Sequence, residues 1–240
     1  MLKVDLHLHT AEDPADNVAH DALALIDRAR AKGFDALAIT LHDRQLADPR
    51  VFDYARERRI TLLSGIERAI EGRHVLLVNF PQTAEQVRTF EDVAALRSGS
   101  NGIVIAPHPF FPDRTCLRSR MDEHADLFDA VEWSYFWTTG INFNARAARW
   151  ARTHGKPLIG NSDSHDLRQL GRTYSLVFAE PGADAICDAI RNGLVSVETS
   201  PVPALELTQV LAGMVRRGNK TVTDAGDARD SRLKAQGQHA

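Results

Sequence analysis

Short apolar runs that end in histidine or an acidic residue recur from the start of the chain to about residue 165. The first is Val4-Asp5-Leu6-His7-Leu8-His9-Thr10. It reads as a strand, and a strand places residues i and i+2 on one face. Two imidazoles therefore leave one rigid strand end together, as half of a metal site. Further strands are expected at 35–40, 60–66, 74–80, 103–106, 128–133, 157–160, 174–178 and 194–198. Helical patterns separate most of them: 19–32 ending at Gly33, 46–58 with Pro49 near its start, 82–97 with Thr83 or Gln82 near its cap, 142–154, and a piece near 183–192. Strands alternating with helices imply a mostly parallel sheet sheltered by helices. The number of such units, about seven, favours a closed or distorted α/β barrel over an open sheet.

The chain of 240 residues is long enough for one such domain, which we place at residues 1–210. Residues 216–240 carry almost no apolar side chains and cannot bury a core, so a disordered or loosely attached tail is expected. The formal charge of -3 gives no footprint for nucleic acid and no polybasic patch for a membrane. Cys116 and Cys187 are too few for a disulfide framework and suit a reducing compartment. No apolar run approaches the roughly 20 residues of a membrane-spanning helix, and no signal peptide is visible. A cytoplasmic protein is expected.

The metal-capable residues cluster at strand ends. His42 follows the second strand, Glu67 the third, and His108 the fifth; Asp163 and His165 follow the strand at 157–160. In a parallel barrel these ends open on one face. His74 stands at the start of its strand, but a hairpin through Glu71-Gly72-Arg73 would return it to that face. Imidazole with carboxylate suits zinc, manganese and iron. The donors exceed what one tetrahedral ion needs, so two or three ions sharing a bridging carboxylate are expected. Glu67, with two oxygens, is the natural bridge. Clustered ions suit phosphoester hydrolysis.

In order along the chain stand Asp5-Leu6-His7-Leu8-His9-Thr10, Ile39-Thr40-Leu41-His42-Asp43, Gly65-Ile66-Glu67, His74-Val75-Leu76, Pro107-His108-Pro109 and Ser162-Asp163-Ser164-His165. Together they resemble the motifs of the polymerase and histidinol phosphatase (PHP) family over roughly residues 1–200. The resemblance implies a distorted (β/α)7 barrel, a trinuclear metal site at its C-terminal face, and phosphoesterase activity with a metal-bridging hydroxide. It implies His7, His9, Glu67 and Asp163 on one ion, Glu67, His74 and His108 on a second, and Asp13, His42 and His165 on a third. Glu67 and Asp163 are then the catalytic carboxylates. The chain departs from the family at Leu41, where an aspartate is common, and at 10–16, where Asp13 or else Asp16 must replace a Ser-Asp-Gly aspartate. Only 33 residues separate His74 from His108, which suits a compact protein acting on a small phosphorylated substrate.

Arg44 and Arg172, and less so Arg68, follow the donors closely enough to be read as a grip for a phosphate. The stretch Trp133-Ser134-Tyr135-Phe136-Trp137 reads as core and rim packing, or as a pocket wall. His20, His124, His154 and His239 read as structural or exposed. Two other functions fit the same donors: opening of an amide or lactone, and a non-catalytic metal-binding module.

Overall fold

Nine strands form one continuous sheet among the residues described by a computed structural model, which are 1–203 and Thr208. The expected tail at 216–240 lies outside them. In chain order they are β1 (Leu2–Leu8), β2 (Ala36–Ile39), β3 (Thr61–Ile70), β4 (Arg73–Val78), β5 (Ile103–Ala106), β6 (Ala130–Ser134), β7 (Leu158–Asn161), β8 (Thr173–Val177) and β9 (Val195–Thr199). The helices are α1 (Ala22–Ala31), α2 (Pro49–Glu57), α3 (Phe90–Ser98), the one-turn α4 (Arg120–Glu123), α5 (Asn144–Thr153) and α6 (Ala183–Arg191).

The spatial order is β7-β6-β5-β4-β3-β2-β1-β8-β9. The ends of this order meet, so the sheet curls into a nearly closed α/β barrel. Leu8 bridges Ser164, and His9 N donates to the Ser164 carbonyl at 3.0 Å. Across the seam the Ser175 hydroxyl accepts from Gly160 N at 2.8 Å and donates to Gly160 O at 3.0 Å. A Cβ on Gly160 would lie 2.6 Å from the Tyr174 carbonyl oxygen, so this close approach requires glycine.

The pairing is less parallel than the alternation suggests. β1–β2, β2–β3, β5–β6 and β6–β7 are parallel; β3–β4, β4–β5, β1–β8 and β8–β9 are antiparallel. The β3–β4 reversal is a two-residue hairpin. Glu71 (φ 47°) and Gly72 (φ 74°) both take left-handed backbone, as its twist demands.

The expected helix at 82–97 divides into a 3-10 turn at 82–86 and α3. The cap is Thr89, whose hydroxyl accepts from Asp92 N while the Asp92 carboxylate accepts from Thr89 N. Helix α1 starts three residues later than expected, where the Asp21 carboxylate accepts from Ala24 N.

Apolar side chains from β1 to β8, including Leu6, Leu63, Leu76, Ile105 and Ile159, fill the barrel interior. Two outer layers pack under the helices, one around Phe34 and Leu25, the other around Phe90 and Phe128. Among the described residues, no helix is long and apolar enough to cross a membrane.

Candidate metal centre

Register explains why the donors converge. In β1 the pairing with β2 shifts between Asp5 and Leu8. Leu6 faces the interior while Leu8 packs outward against α1. The irregularity lets His7 and His9 close the interior just above its apolar filling. In β3, Glu67 lies two residues beyond Gly65, within the strand and not after it. The hairpin sets His74 across from Ala69 and so beside Glu67. His108 and Asp163 follow β5 and β7 on left-handed backbone (φ 27° and 47°). Such backbone is uncommon outside glycine, though less so for histidine and aspartate than for other residues, and both side chains join the cluster.

Glu67, buried, is the centre of the cluster. Its Oε2 lies 3.3 Å from Nε2 of His7, of His9 and of His42. Its Oε1 lies 2.6 Å from His74 Nδ1 and 3.3 Å from His108 Nε2. Asp163 Oδ1 lies 3.4 Å from Nε2 of both His7 and His9, and 3.6 Å from His165 Nδ1. His42 and His165 each stack on His9, with ring centroids 4.6 and 4.3 Å away. The structure thus brings His7, His9, His42, Glu67, His74, His108, Asp163 and His165 into one cluster.

The two candidate aspartates have different surroundings. Asp13 Oδ2 faces His9 Nδ1 (3.0 Å) and His42 Nδ1 (2.8 Å) and accepts from His42 N (3.0 Å). It grips the ring edges turned away from Glu67. Asp16 Oδ2 instead lies 2.8 Å from His165 Nε2. Asp13 thus forms with His9 and His42 a triad that could hold an ion, on the ring edges turned away from Glu67, while Asp16 reaches the third ring, His165.

Burial alone would raise the Glu67 carboxyl, yet His7, His74 and His108 around it hold it well below its ordinary value. Asp163 is likewise held low against burial by His7, His9, His165 and His108. Burial would lower His9, but Asp13, Asp163 and Glu67 raise it to about 10. Such a set stabilises positive charge among the converging donors.

The donors fit metal ions on geometry as well. His7 Nε2 and His9 Nε2 are buried without a hydrogen-bond partner. Their 3.3–3.4 Å separations from Glu67 Oε2 and Asp163 Oδ1 match the roughly 3.4 Å between ligand atoms of a tetrahedral ion with bonds near 2.1 Å. Several overlapping triads could hold an ion, among them His7–His9–Glu67, His42–Glu67–His74 and His9–Asp163–His165.

Sequence reasoning missed Glu132. Its Oε1 lies 2.9 Å from His7 Nδ1 and accepts from Asn161 Nδ2 at 3.0 Å, while its Oε2 accepts from His108 N at 2.7 Å. One buried carboxylate thereby orients two donors. The signal was a lone acid inside the apolar run Ala130-Val131-Glu132-Trp133, in phase with interior Ala130. Asp5 was also missed; it accepts from Ser162 N (3.2 Å) and His7 N (3.3 Å) and so ties the β7 loop to β1. Burial raises its carboxyl to about 7.

The arginines expected to grip a phosphate are elsewhere. Arg44 lines a separate hollow with Glu12, Gln45 and Glu85. Arg172 donates to Ser200 Oγ and the Pro201 carbonyl. Arg68 pairs with Asp43 and donates to the Val87 carbonyl at 2.8 Å. The cleft of about 520 Å³ beside the donors is walled by Phe111, Pro112, Asp113, Thr115, Cys116, Ser134, Phe136 and Phe143. Of the aromatic stretch, Tyr135 is core and Phe136 is cleft wall. His124 and His154 stack on Phe90 and Trp150, away from the cluster.

Comparison with known proteins adds to this geometry. Residues 142–195 match the family model PHP_C, PHP-associated. No curated protein matches the chain. A two-domain protein from Bacteroides vulgatus containing a predicted PHP-like metal-dependent phosphoesterase shares the fold at a TM-score of 0.64 and 22% identity. The likeness covers 82% of this chain and 64% of that one, so this chain spans less than two thirds of its length. PsfC from Pseudomonas syringae is similar at a TM-score of 0.62 and 17% identity, over 91% of this chain and 98% of its own. A lesion-specific endonuclease Q from Pyrococcus furiosus is similar at 0.58 and 18%, over 82% of this chain and 57% of its own. An endonuclease Q is also solved with a 27-mer duplex carrying an abasic lesion at its active site. That complex overturns the exclusion of nucleic acid drawn from net charge: a protein that shares this fold takes a duplex substrate.

Proposed function

Because residues 142–195 match the PHP-associated model and the fold is shared with a PHP-like phosphoesterase, we propose that the chain is a PHP-type metal-dependent hydrolase that cleaves phosphoesters, nucleic-acid esters among the candidates. The observation that carries the reading is the division of Glu67. One oxygen serves His7, His9 and His42, the other His74 and His108. Glu67 would thereby contribute one oxygen to each of two ions. His7, His9, Glu67 and Asp163 would hold one, and Glu67, His74 and His108 a second. His42 and His165, with Asp16 in place of Asp13, would complete a third. Manganese, zinc and iron all suit this donor set. Bound ions supply charge neutralisation for the phosphate and a water acidified to a pKa of about 7.

The chain's own groups do the rest. Glu67 fixes the spacing of the two imidazole sets. Asp163, 27% exposed where Glu67 is 2%, faces the cleft, where it would meet the attacking water as well as bind metal. Glu132 holds the His7 ring and the His108 backbone in position. The unpaired, buried Cys116 and Cys187 support a reducing, cytoplasmic setting.

The test is purified protein reconstituted with manganese or zinc and offered phosphomonoesters, phosphodiesters and oligonucleotides. Hydrolysis is expected, lost on chelation and in Glu67→Gln. Full metal content with no cleavage of any phosphoester would sink the reading. A second reading, amide or lactone hydrolysis, is favoured by one observation: among the described residues, no lysine or arginine lines the cleft. Carbonyl substrates in the same panel decide between them.

A further inference from the structure

Three phenylalanines form a wall of the cleft that the metal chemistry does not use. Phe111 comes from the loop after β5, and Phe136 and Phe143 from the segment after β6. The Phe111 ring packs against both others, its centroid 5.2 Å from that of Phe143 and 6.4 Å from that of Phe136. Each remains partly exposed, at the mouth of a cavity and not in the core. The wall begins beside the donors, since Phe111 stands edge-on to His108 with centroids 6.3 Å apart.

Charge narrows what can sit there. Outside the histidine–carboxylate cluster, the charged group lining the cleft among the described residues is Asp113. Its Oδ1 accepts from Thr115 N at 2.8 Å and from Thr115 Oγ1 at 2.6 Å, which fixes the carboxylate in place. A second anionic group on a substrate would meet this carboxylate with no arginine or lysine among the described residues of the cleft to offset it. A flat uncharged ring would cover exposed aromatic surface and gain stacking contacts.

We propose that the cleft takes phosphoesters with one anionic group and a flat, uncharged aromatic ring, the ring seated against Phe111, Phe136 and Phe143. The proposal rests on the phosphoester reading above and names the substrate class of that same site.

Non-hydrolysable phosphonates separate the two ideas. Calorimetric titration of the manganese-loaded protein would compare benzylphosphonate, methylphosphonate and phosphonoacetate. The ring is expected to tighten binding about tenfold over methylphosphonate, the added carboxylate to weaken it. In the Phe111→Ala, Phe136→Ala double variant the benzyl-to-methyl ratio is expected to fall to near one. The milder Phe136→Leu should lower it partway, which guards against a double variant that fails to fold. Equal binding of benzyl and methyl compounds, a ratio that survives both variants, or tightest binding of phosphonoacetate overturns the aromatic seat and leaves the phosphoester reading standing. No binding of any phosphonate at full metal content removes both.

Discussion

Replacing Glu132 disturbs two donors at once, because its oxygens face the His7 ring and the His108 main chain separately. Glu132→Gln keeps an acceptor for one and loses it for the other. Manganese affinity, read by titration, is expected to fall about 10- to 100-fold. Glu132→Ala should add a stability loss of about 1–3 kcal/mol, read by urea unfolding, because buried donors lose their partner.

Cys187 offers a pH test away from the centre. Burial pushes its thiol from 9.0 up to about 12, so the unfolded chain ionises first. Its contribution to stability is whole below pH 9.0 and declines as the pH rises from there toward about 12. Urea midpoints between pH 8 and 11 should fall, and Cys187→Ala should flatten that slope. At this scale the donors were legible because histidine and acid at strand ends have few other uses. Arg44 and Arg172 misled because nearness in sequence to a donor says nothing of direction. Glu132 was hidden because an acid inside an apolar strand reads as an interruption until its face is known.

The β3–β4 hairpin is the element on which His74 depends. Valine at Gly72 would force a branched side chain into left-handed backbone at a cost of about 1–2 kcal/mol. It should also displace His74, so Gly72→Val is expected to bind less manganese per chain by elemental analysis. The reversal was legible in the sequence, since His74 stood at the wrong end of a parallel strand and Glu71-Gly72 offered a turn. The break in the helix expected over 82–97 was not. Its periodicity runs on through Val87 and Arg88, and only the reciprocal Thr89–Asp92 hydrogen bonds mark where α3 starts.

At the scale of the whole barrel, closure depends on a seam where Gly160 meets Ser175 and Tyr174. Gly160→Ala places a methyl against a carbonyl that cannot move without its strand. An overpacking loss of about 1–3 kcal/mol is expected in urea unfolding. Chelation should lower the melting temperature of metal-loaded protein, because ions bind the folded cluster and not the separated donors. The barrel was legible from strand–helix alternation, but its antiparallel closing strands were not, since a strand's direction leaves no mark in its own composition. Net charge misled about nucleic acid for a related reason: it averages a surface of which a ligand meets only one face.

His108 and Asp163 occupy backbone that glycine would hold with less strain, and asparagine nearly as readily. Heat resistance and turnover therefore pull these two positions in opposite directions. A library of variants sorted only for surviving heat in the absence of metal should drift toward glycine or asparagine at 108 and 163. One sorted for catalysis should keep both residues and recover its stability elsewhere in the barrel.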